Sequence, residues 1–564
     1  MPWHGASEGL IADSSNPWQT PAEAAGFEST PSYEQTRQWL EKLCAASPLL
    51  ELVQFGKTAN GRDLLLVIAG KDFQIGSPHS KPVLLAQAGI HSGEIDGKDA
   101  GMMLLRDLAF QPQKQALLDQ ATFLFIPILN ADGHENTRAI NRVNQRGPTP
   151  MGWRTTARNL NLNRDYTKAD TPEMQALLTL IHRVQPDLYL DLHVTDGEDT
   201  QYDITYGFSG PHGYSPHLAQ WMTDNLRPVI DAALVQNGHH PFNFFFSMDN
   251  QNPKAGIVDF MGSPRFSNAY GDAIHLPAIL VENHSLKPYR QRVLGTYVLV
   301  EGCLKLLGQK GMGLRNAIQD DRAARPEQVV LTWAYPKSQP QMVDYLGVAY
   351  ELHHSDALGL DYLKWTGKPE TWKVPFIRQT EPALSIKLPK AYWVPAAWSD
   401  VIQRIHLHQI QYEVLKTEQN LNLEFQRIDQ FECVKVPYEG RMTVTTQSHA
   451  EQQTRLFAPG SIRIPTDQPL ADLVALLLEP GSPDSFLQWG FFNEIFQRTE
   501  YIEPYIMGPL AEKMLKDPQI KADYEKALAE KTIGDSPREK MEWFYSRSPY
   551  YDPDYLLYPV GWER

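Results

Sequence analysis

The chain has 564 residues and a formal net charge of −15 at neutral pH, from 67 acidic and 52 basic side chains. This acidic balance excludes a nucleic acid as the expected partner, because binding to a phosphate backbone depends on clustered Lys and Arg. The hydrophobic fraction of 42% is typical of a globular protein, and no apolar run approaches the roughly 18 residues that would span a membrane. The length indicates two or three domains.

The N-terminal residues and the cysteines bear on the cellular compartment and on the kinds of cross-link or metal site to expect. Residues 1–15 lack the basic and apolar regions of a signal peptide, so the compartment stays open between the cytoplasm and a secreted or periplasmic location reached after removal of a signal. Cys44, Cys303 and Cys433 lie far apart and form no C-x-x-C pair. The sequence therefore indicates neither a disulfide framework nor a thiolate metal site.

Strand and helix patterns alternate through the first half of the chain. Residues 1–30 are rich in Ser, Pro, Gly and Ala and are predicted to form an extended arm, followed by a capped helix over Ser32–Ala46. The alternation in residues 31–310 predicts an α/β domain with a mixed, largely parallel sheet flanked by helices. The predicted strands are Asp63–Ala69, Val83–Ala88, Thr122–Leu129, Asp187–His193 and Ala278–Glu282, and the predicted helices are Asp96–Leu108, Pro172–Val184, His217–Gln236 and Tyr289–Leu307.

The composition changes after the last of these helices. Residues 311–328 are charged and rich in Gly, Ala and Arg, and are predicted to form a linker. Residues 329–469 have short alternating segments with frequent Pro and aromatic residues, which predicts a separate β-rich accessory module. Helical spacing returns in residues 470–564, a predicted C-terminal helical segment. Its predicted helices include Leu470–Leu478, Phe486–Gln497 and Met507–Leu515.

The stretch His91-Ser92-Gly93-Glu94 closes the predicted strand Val83–Ala88. A His and a Glu at this spacing offer a metal ion one nitrogen and one oxygen ligand, a set that suits Zn²⁺. By itself the motif is weak, because the 17 His residues of this chain make about one H-x-x-E expected by chance. The motif becomes informative only together with metal-binding side chains at the ends of other strands.

Two further predicted strands end on side chains of the same chemistry. Asp187–His193 ends on a His, and Ala278–Glu282 ends on a Glu after a purely apolar run. In open α/β sheets, ligands gather at the carboxyl ends of strands, and polar groups there are costly to bury without partners. A solvated polar group explains each strand end alone, but a shared metal site better explains the three together.

These motifs, in this order, resemble the carboxypeptidase A-like zinc peptidases. The resemblance covers residues 31–310 and implies for them the mixed α/β fold of the zinc exopeptidases. The matching pieces are H-S-G-E at His91–Glu94, G-W-R-T-T-A-R-N-L-N-L-N-R-D-Y at Gly152–Tyr166, L-D-L-H at Leu190–His193 and I-L-V-E-N at Ile279–Asn283.

The resemblance implies a catalytic role for five residues. It implies that His91, Glu94 and His193 hold one Zn²⁺ per chain and leave its fourth position open, as in catalytic sites. Glu282 matches the general base that takes a proton from water, and Arg154 matches the cation that stabilises the oxyanion of the tetrahedral intermediate.

The resemblance also implies how a substrate is held. Asn163 and Arg164 match the pair that binds the terminal carboxylate of the substrate, for which a guanidinium offers a bidentate fork. The family's mobile Tyr over the substrate has no clean counterpart in this chain. Tyr270 is the candidate, with Tyr206 or no residue as the alternatives.

Two positions depart from the family pattern. The family often has an Arg before the zinc-binding Glu, where this chain has Gly93. It also has a carboxylate that orients the first zinc-binding His, where this chain has Asn161. An amide oxygen can still accept the imidazole N–H of His91, but it gives less charge support.

The leading expectation is a zinc metallocarboxypeptidase that removes C-terminal residues from peptides. The alternative among enzymes is a zinc amidohydrolase acting on an acylated amino acid or a cell-wall peptide, because Asn163 and Arg164 favour any substrate with a free carboxylate. The alternative outside enzymes is a catalytically inactive peptide-binding protein, against which the presence of Glu282 and all three zinc ligands argues. The sequence leaves open the side-chain preference, the role of the β-rich module and the oligomeric state.

Overall fold

The computed structural model describes residues 3–210 and 213–564, and the largest sheet within those residues contains eight strands. The strands up to residue 284 are β1 (Leu50–Lys57), β2 (Asp63–Ala69), β3 (Val83–Ala88), β4 (Thr122–Ile126), β5 (Leu188–Thr195), β6 (Ile204–Gly207), β7 (Pro241–Asn243), β8 (Phe245–Ser247), β9 (Ile257–Asp259) and β10 (Ala278–His284). The sheet has the order β1-β2-β4-β3-β5-β10-β6-β7. Its centre, β4-β3-β5-β10, is parallel, whereas β1, β2 and β6 also pair antiparallel. The predicted mixed, largely parallel α/β sheet is confirmed.

Helices alternate with these strands as predicted. They are α1 (Pro21–Ala24), α2 (Tyr33–Ala46), α3 (Asp96–Phe110), α4 (Pro112–Gln115), α5 (Ala131–Glu135), α6 (Pro172–Val184), α7 (Pro216–Trp221), α8 (Arg227–Gln236), α9 (Ser267–Ala273), α10 (Tyr289–Ala323), α11 (Ser399–Leu407), α12 (Ala471–Leu478), α13 (Pro504–Met514), α14 (Pro518–Ala529) and α15 (Pro537–Tyr545). The predicted bounds of β2, β3 and α6 match residue for residue. The helix predicted over His217–Gln236 is interrupted by a π-helical turn at Met222–Leu226.

Helices bury both faces of the large sheet. Successive side chains of a strand point to opposite faces, so Leu84 joins one hydrophobic core and Leu85 the other. The first core also contains side chains of α3 and α10, and the second contains side chains of α6 and α9. Burial on both faces explains why the central strands are almost continuously apolar in sequence.

Helix α10 is longer than predicted and replaces most of the predicted linker. It ends at Ala323, so most of residues 311–328 are helical instead of forming a connecting segment. Leu314 is buried in the first core, and the guanidinium of Arg315 lies 2.7 Å from the carboxylate of Asp187. These contacts with the α/β sheet extend the helix through the charged stretch that indicated a linker.

The N-terminal residues 1–30 also depart from the predicted extended arm. Residues 1 and 2 lie outside the described residues, and those that follow form a 3₁₀ turn at Ala6–Leu10 and the short helix α1. A capping box between Thr20 and Glu23 begins α1. Glu23 is buried and pairs with Arg106 of α3 at 2.6 Å, which ties this segment to the α/β part of the chain.

Residues 329–469 are β-rich, as predicted, but they pack continuously with the α/β part. The strands after residue 327 are β11 (Gln328–Ala334), β12 (Gln341–Ser355), β13 (Leu360–Ile377), β14 (Glu381–Lys387), β15 (Ala391–Val394), β16 (Glu413–Val414), β17 (Gln419–Cys433), β18 (Val444–Phe457), β19 (Ile462–Pro465) and β20 (Leu557–Glu563). β13 pairs in parallel with β9, and β20 completes the sheet β16-β19-β15-β20-β17-β18. Tyr392 of β15 shares the second core with Val83 of β3. The second core thus includes residues of both parts, and the predicted domain boundaries stay predictions.

The C-terminal segment 470–564 is largely helical, with one wrong prediction. α12 and α13 coincide closely with predicted helices, but Phe486–Gln497 is a series of turns that contains only a 3₁₀ turn at Asn493–Phe496. Gly490 has φ +77°, a left-handed conformation that interrupts any helix there. Within the described residues, no helix has both the length and the apolar composition required to cross a membrane.

Candidate metal centre

Three neighbouring strands deliver the predicted residues to one edge of the large sheet. β3 leads into the turn that carries His91 and Glu94, and its parallel neighbour β5 carries His193. β10 lies beside β5 and places Glu282 directly opposite His193. All four side chains are buried. The strand ends therefore meet as the rule for parallel sheets predicts.

The side chains of His91, Glu94 and His193 are close enough to share one metal ion. One ligand atom from each residue lies within 4.8 Å of the others. His91 Nδ1 lies 3.1 Å from both carboxylate oxygens of Glu94, and His193 Nδ1 lies 2.9 Å from Glu94 Oε2. Two imidazole nitrogens and one carboxylate oxygen form the kind of three-ligand set that catalytic Zn²⁺ uses, so these residues fit zinc.

The surroundings favour metal-binding protonation states for two of these residues. Burial lowers the pKa of His91 to about 4, so its imidazole is neutral at neutral pH. Burial opposes ionisation of Glu94, but His91 and Arg142 outweigh this effect and hold the pKa of the carboxyl well below its usual range. A neutral imidazole and an ionised carboxylate are the forms that ligate metals.

Asn161 contacts His91 from the side opposite to Glu94, as the resemblance implies. His91 Nε2 lies 2.8 Å from Asn161 Oδ1, while His91 Nδ1 faces Glu94. The same amide oxygen accepts a hydrogen bond from the backbone N–H of Asn163, which fixes its orientation. Because the amide oxygen can only accept, Nε2 carries the proton and the lone pair of Nδ1 is left for a metal.

Behind His193 lies a carboxylate that the sequence interpretation missed. His193 Nε2 is 2.8 Å from Asp191 Oδ2, an ion-pair contact within β5. Residues two apart in a strand share a face, so the D-x-H pattern in L-D-L-H was the available signal. Gln87 donates a hydrogen bond to Asp191 Oδ1 at 2.9 Å, and Tyr189 donates one to Gln87 at 2.6 Å. Burial disfavours the charged imidazole, but Asp191 outweighs it and raises the pKa of His193 well above its usual value.

Arg142 also reaches the centre, although no sequence motif indicated it. Its Nη2 lies 2.6 Å from Glu94 Oε1, across 48 positions of sequence. A Cβ added to Gly93 would lie 2.3 Å from Arg142 Cγ, so only Gly leaves room for this side chain. Arg154 Nη1 lies 3.1 Å from the same oxygen of Glu94. The position where the family often has an Arg thus makes space for an Arg from a distant loop.

Glu282 has the surroundings of a side chain that could exchange protons. Its Oε2 is buried and has no hydrogen-bond partner in the described part of the chain. Burial raises the pKa of Glu282 to about 8, and nearby His193 acts in the opposite direction. A cation bound beside it would lower this raised pKa, because a cation stabilises the ionised form.

Asn163 and Arg164 lie in the same cavity as the metal-binding group. This cavity has a volume of about 700 Å³, and its lining includes His91, Glu94, Arg154, Asn163, Arg164, His193 and Glu282. The guanidinium of Arg164 stacks on Phe266, with 4.3 Å between its carbon and the ring centre. Among residues 3–210 and 213–564, Arg164 forms no ion pair with a carboxylate. Its Nη1 donates a hydrogen bond to the backbone carbonyl of Asn163 at 2.8 Å, and no carboxylate of these residues neutralises its charge.

The assignment of Tyr270 over the substrate is wrong. Tyr270 is 1% exposed in α9, and its hydroxyl group lies 2.8 Å from His408 Nδ1 within the second core. The alternative, Tyr206, is also buried and donates a hydrogen bond to Asp231. The sequence identifies an aromatic residue at this position, but it does not show that this face of α9 packs into the core. Tyr362 and Trp365 of β13 line the cavity instead.

Comparisons with known proteins find similarity to carboxypeptidases. Residues 36–198 match the family model for zinc carboxypeptidases. Carboxypeptidase 2 of Trichophyton rubrum is 21% identical over 493 residues, 82% of this chain and 84% of that protein. An inactive metallocarboxypeptidase of Schizosaccharomyces pombe is 31% identical over 133 residues, 22% of this chain and 27% of that protein. A solved metallo-carboxypeptidase from Pseudomonas aeruginosa aligns with a TM-score of 0.38 and 18% identity, covering 50% of this chain and 70% of that one.

The family match and the geometry concern the same part of the chain. The matched residues 36–198 contain His91, Glu94 and His193, which the fold brings together. They also contain the segment that places Asn163 and Arg164 in the adjoining cavity. Over residues 36–198, the chain therefore matches the zinc carboxypeptidase family model.

Proposed function

We propose that this protein is a zinc-dependent carboxypeptidase that removes C-terminal residues from peptides. The observation that carries the proposal is one cavity that holds three kinds of group. These are a buried His–Glu–His set that fits zinc, the partnerless carboxylate oxygen of Glu282 and the guanidinium of Arg164, which has no carboxylate partner in the described residues. A peptide with a free C-terminal carboxylate would complement all three.

The proposal gives each residue a separate task. His91, Glu94 and His193 would hold one zinc ion, which when bound supplies a Lewis acid that polarises a carbonyl group and acidifies water. Glu282 would take a proton from the attacking water and deliver it to the departing amine. Arg154 would donate hydrogen bonds to the oxyanion that develops on the scissile carbonyl.

Asn163 and Arg164 would hold the other end of the substrate. A guanidinium matches a carboxylate with two parallel hydrogen bonds, and the amide of Asn163 adds a neutral donor beside it. This grip would fix the C-terminal residue and so select the last peptide bond. A zinc amidohydrolase that acts on acylated amino acids uses the same groups, and it stays the second candidate because any free carboxylate fits them.

Metal content together with hydrolysis separates these candidates. We expect one zinc ion per chain by elemental mass spectrometry, and release of the C-terminal residue from a blocked dipeptide that a chelator prevents. Preferential cleavage of simple acylated amino acids would favour the amidohydrolase. Zinc binding with no hydrolysis of either substrate would favour the non-catalytic peptide-binding protein.

Asp191 is proposed as the carboxylate that orients His193, whereas the amide of Asn161 lies behind His91. Asp191→Asn should weaken zinc binding by about 10- to 100-fold, the usual effect of losing such a partner. A competition titration with a chromophoric chelator measures this without reference to activity. Asn161→Asp is the matched variant, because it adds a carboxylate behind His91 and should strengthen binding. Unchanged zinc affinity in folded Asp191→Asn would show that the Asp191 contact has no such role.

A further inference from the structure

The long hairpin of β12 and β13 forms one wall of the cavity. Asp361, Tyr362, Leu363 and Trp365 of β13 line it, although they lie far outside the segment that matches the family. The hairpin is fixed in place, because β13 pairs with β9 and Gln201 donates a hydrogen bond to a backbone carbonyl of β12. The catalytic residues and the β-rich region therefore share one binding cavity.

Strand β8 separates two kinds of surface within this cavity. Phe244 and Phe246 contact Phe260, and Phe260 contacts Phe266 beneath the guanidinium of Arg164. The intervening Phe245 and the following Ser247 point the other way, toward the hairpin, as the two-residue alternation requires. One surface is thus apolar and leads to Arg164, whereas the other meets the hairpin.

Glu198 occupies the second surface. Its Oε1 accepts a hydrogen bond from the hydroxyl group of Tyr345 in β12 at 2.6 Å, and its Oε2 accepts one from the hydroxyl group of Ser247. No Lys, Arg or His nitrogen of residues 3–210 or 213–564 lies within ion-pair distance of this carboxylate. Burial raises the pKa of Glu198, with the two hydroxyl groups opposing it. An ionised Glu198 would therefore be stabilised by a cationic ligand.

Resting on the proposed function, we propose that Glu198 and the β12–β13 hairpin bind a cationic group of the peptide substrate, remote from its C-terminal carboxylate. An ammonium or guanidinium group would pair with Glu198 and lie near the aromatic rings of Tyr362 and Trp365, which attract cations. The partly exposed carboxylates of Asp196 and Asp361 border the same cavity. Arg164 and Glu198 line one cavity of about 700 Å³, a volume within the range of cavities that enclose a small ligand, so a short peptide could contact both.

The cation has two possible sources, a basic side chain or the free amino group of a short peptide. Four tripeptides ending in Phe distinguish these sources. Three have an acetylated amino group and begin with Lys, norleucine or Glu, and the fourth begins with norleucine and has a free amino group. Calorimetry on the zinc-loaded Glu282→Gln protein measures binding without turnover. We expect the acetylated Lys peptide, the free norleucine peptide, or both to bind roughly 10- to 100-fold more tightly than acetylated norleucine, as a charged hydrogen bond would give.

Glu198→Gln in the same background should remove that preference and change binding of acetylated norleucine by no more than about twofold. Glu351→Gln is the matched control, because Glu351 lies in β12 but does not line the cavity. Trp365→Leu should weaken binding of the cationic peptide, whereas Leu358→Ala at the exposed hairpin turn should not.

Equal binding of all four peptides would overturn the inference even if Glu198→Gln does not fold. A cation preference that survives in folded Glu198→Gln would also overturn it. The outcomes stay separate from those of the proposed function. Hydrolysis by the wild type without cation preference would reject only this subsite, and cation-dependent binding without hydrolysis would reject only the carboxypeptidase activity.

Discussion

Replacing Glu282 by Gln is expected to lower kcat by roughly 10²- to 10⁴-fold, the usual contribution of a positioned general acid–base group. The amide has nearly the same shape, but it cannot accept the proton of the attacking water. Zinc content should not change, because Glu282 is not one of the three residues whose ligand atoms converge. Steady-state kinetics on a blocked dipeptide, with metal analysis of the same samples, measures both quantities.

Glu173→Gln provides the control for this substitution. Glu173 is also a buried glutamate whose pKa is raised by burial, but it accepts a hydrogen bond from the backbone of Ala59 and does not line the cavity. Its replacement should leave kcat within about twofold, apart from any change in the folded fraction. Near-wild-type turnover in Glu282→Gln would refute the assignment of the general base.

Replacing Arg164 by Ala is expected to lower kcat/KM by about one to two orders of magnitude, because a charged hydrogen bond contributes roughly 1.5–3 kcal/mol. A C-terminally amidated peptide should cause a similar loss with the wild-type protein, since it removes the other half of the same contact. The two losses should not add when they are combined, because the interaction is already absent.

Arg158→Ala provides the matched control for the Arg164 experiment. Arg158 lies in the same G-W-R…N-R segment, but it is exposed and does not line the cavity. Its replacement should leave unchanged the ratio of kcat/KM for the free peptide to kcat/KM for the amidated peptide. Equal cleavage of free and amidated peptides by the wild type would exclude recognition of a terminal carboxylate and would direct attention to an endopeptidase or amidase activity.

The central sheet and the metal-binding group could be predicted because their signals are local. Apolar runs such as Val83–Ala88 identify buried strands, and parallel strands bring their carboxyl ends together. His91, Glu94, His193 and Glu282 therefore could be placed near one another from sequence alone. The contact of Asp191 with His193 could equally have been predicted, because a residue two positions before His193 in a strand must share its face.

Other features depend on contacts that no local pattern encodes. Arg142 reaches Glu94 from a loop 48 positions away, through space that Gly93 provides. Tyr270 illustrates the opposite error, since an aromatic residue near the site packs into the core when its helix face turns inward. The position of the β12–β13 hairpin beside the cavity also could not be predicted from sequence. Trp365 lines the cavity because β13 pairs with β9.

The most direct test of the central claim is mass spectrometry of a mixed library of unmodified peptides after incubation with the zinc-loaded protein. The proposed carboxypeptidase activity predicts stepwise loss of single residues from the C-terminus, suppressed by a chelator and by Glu282→Gln and restored by added zinc. Cleavage at internal bonds, loss of residues from the N-terminus, or unchanged peptides under zinc-saturated conditions would contradict it.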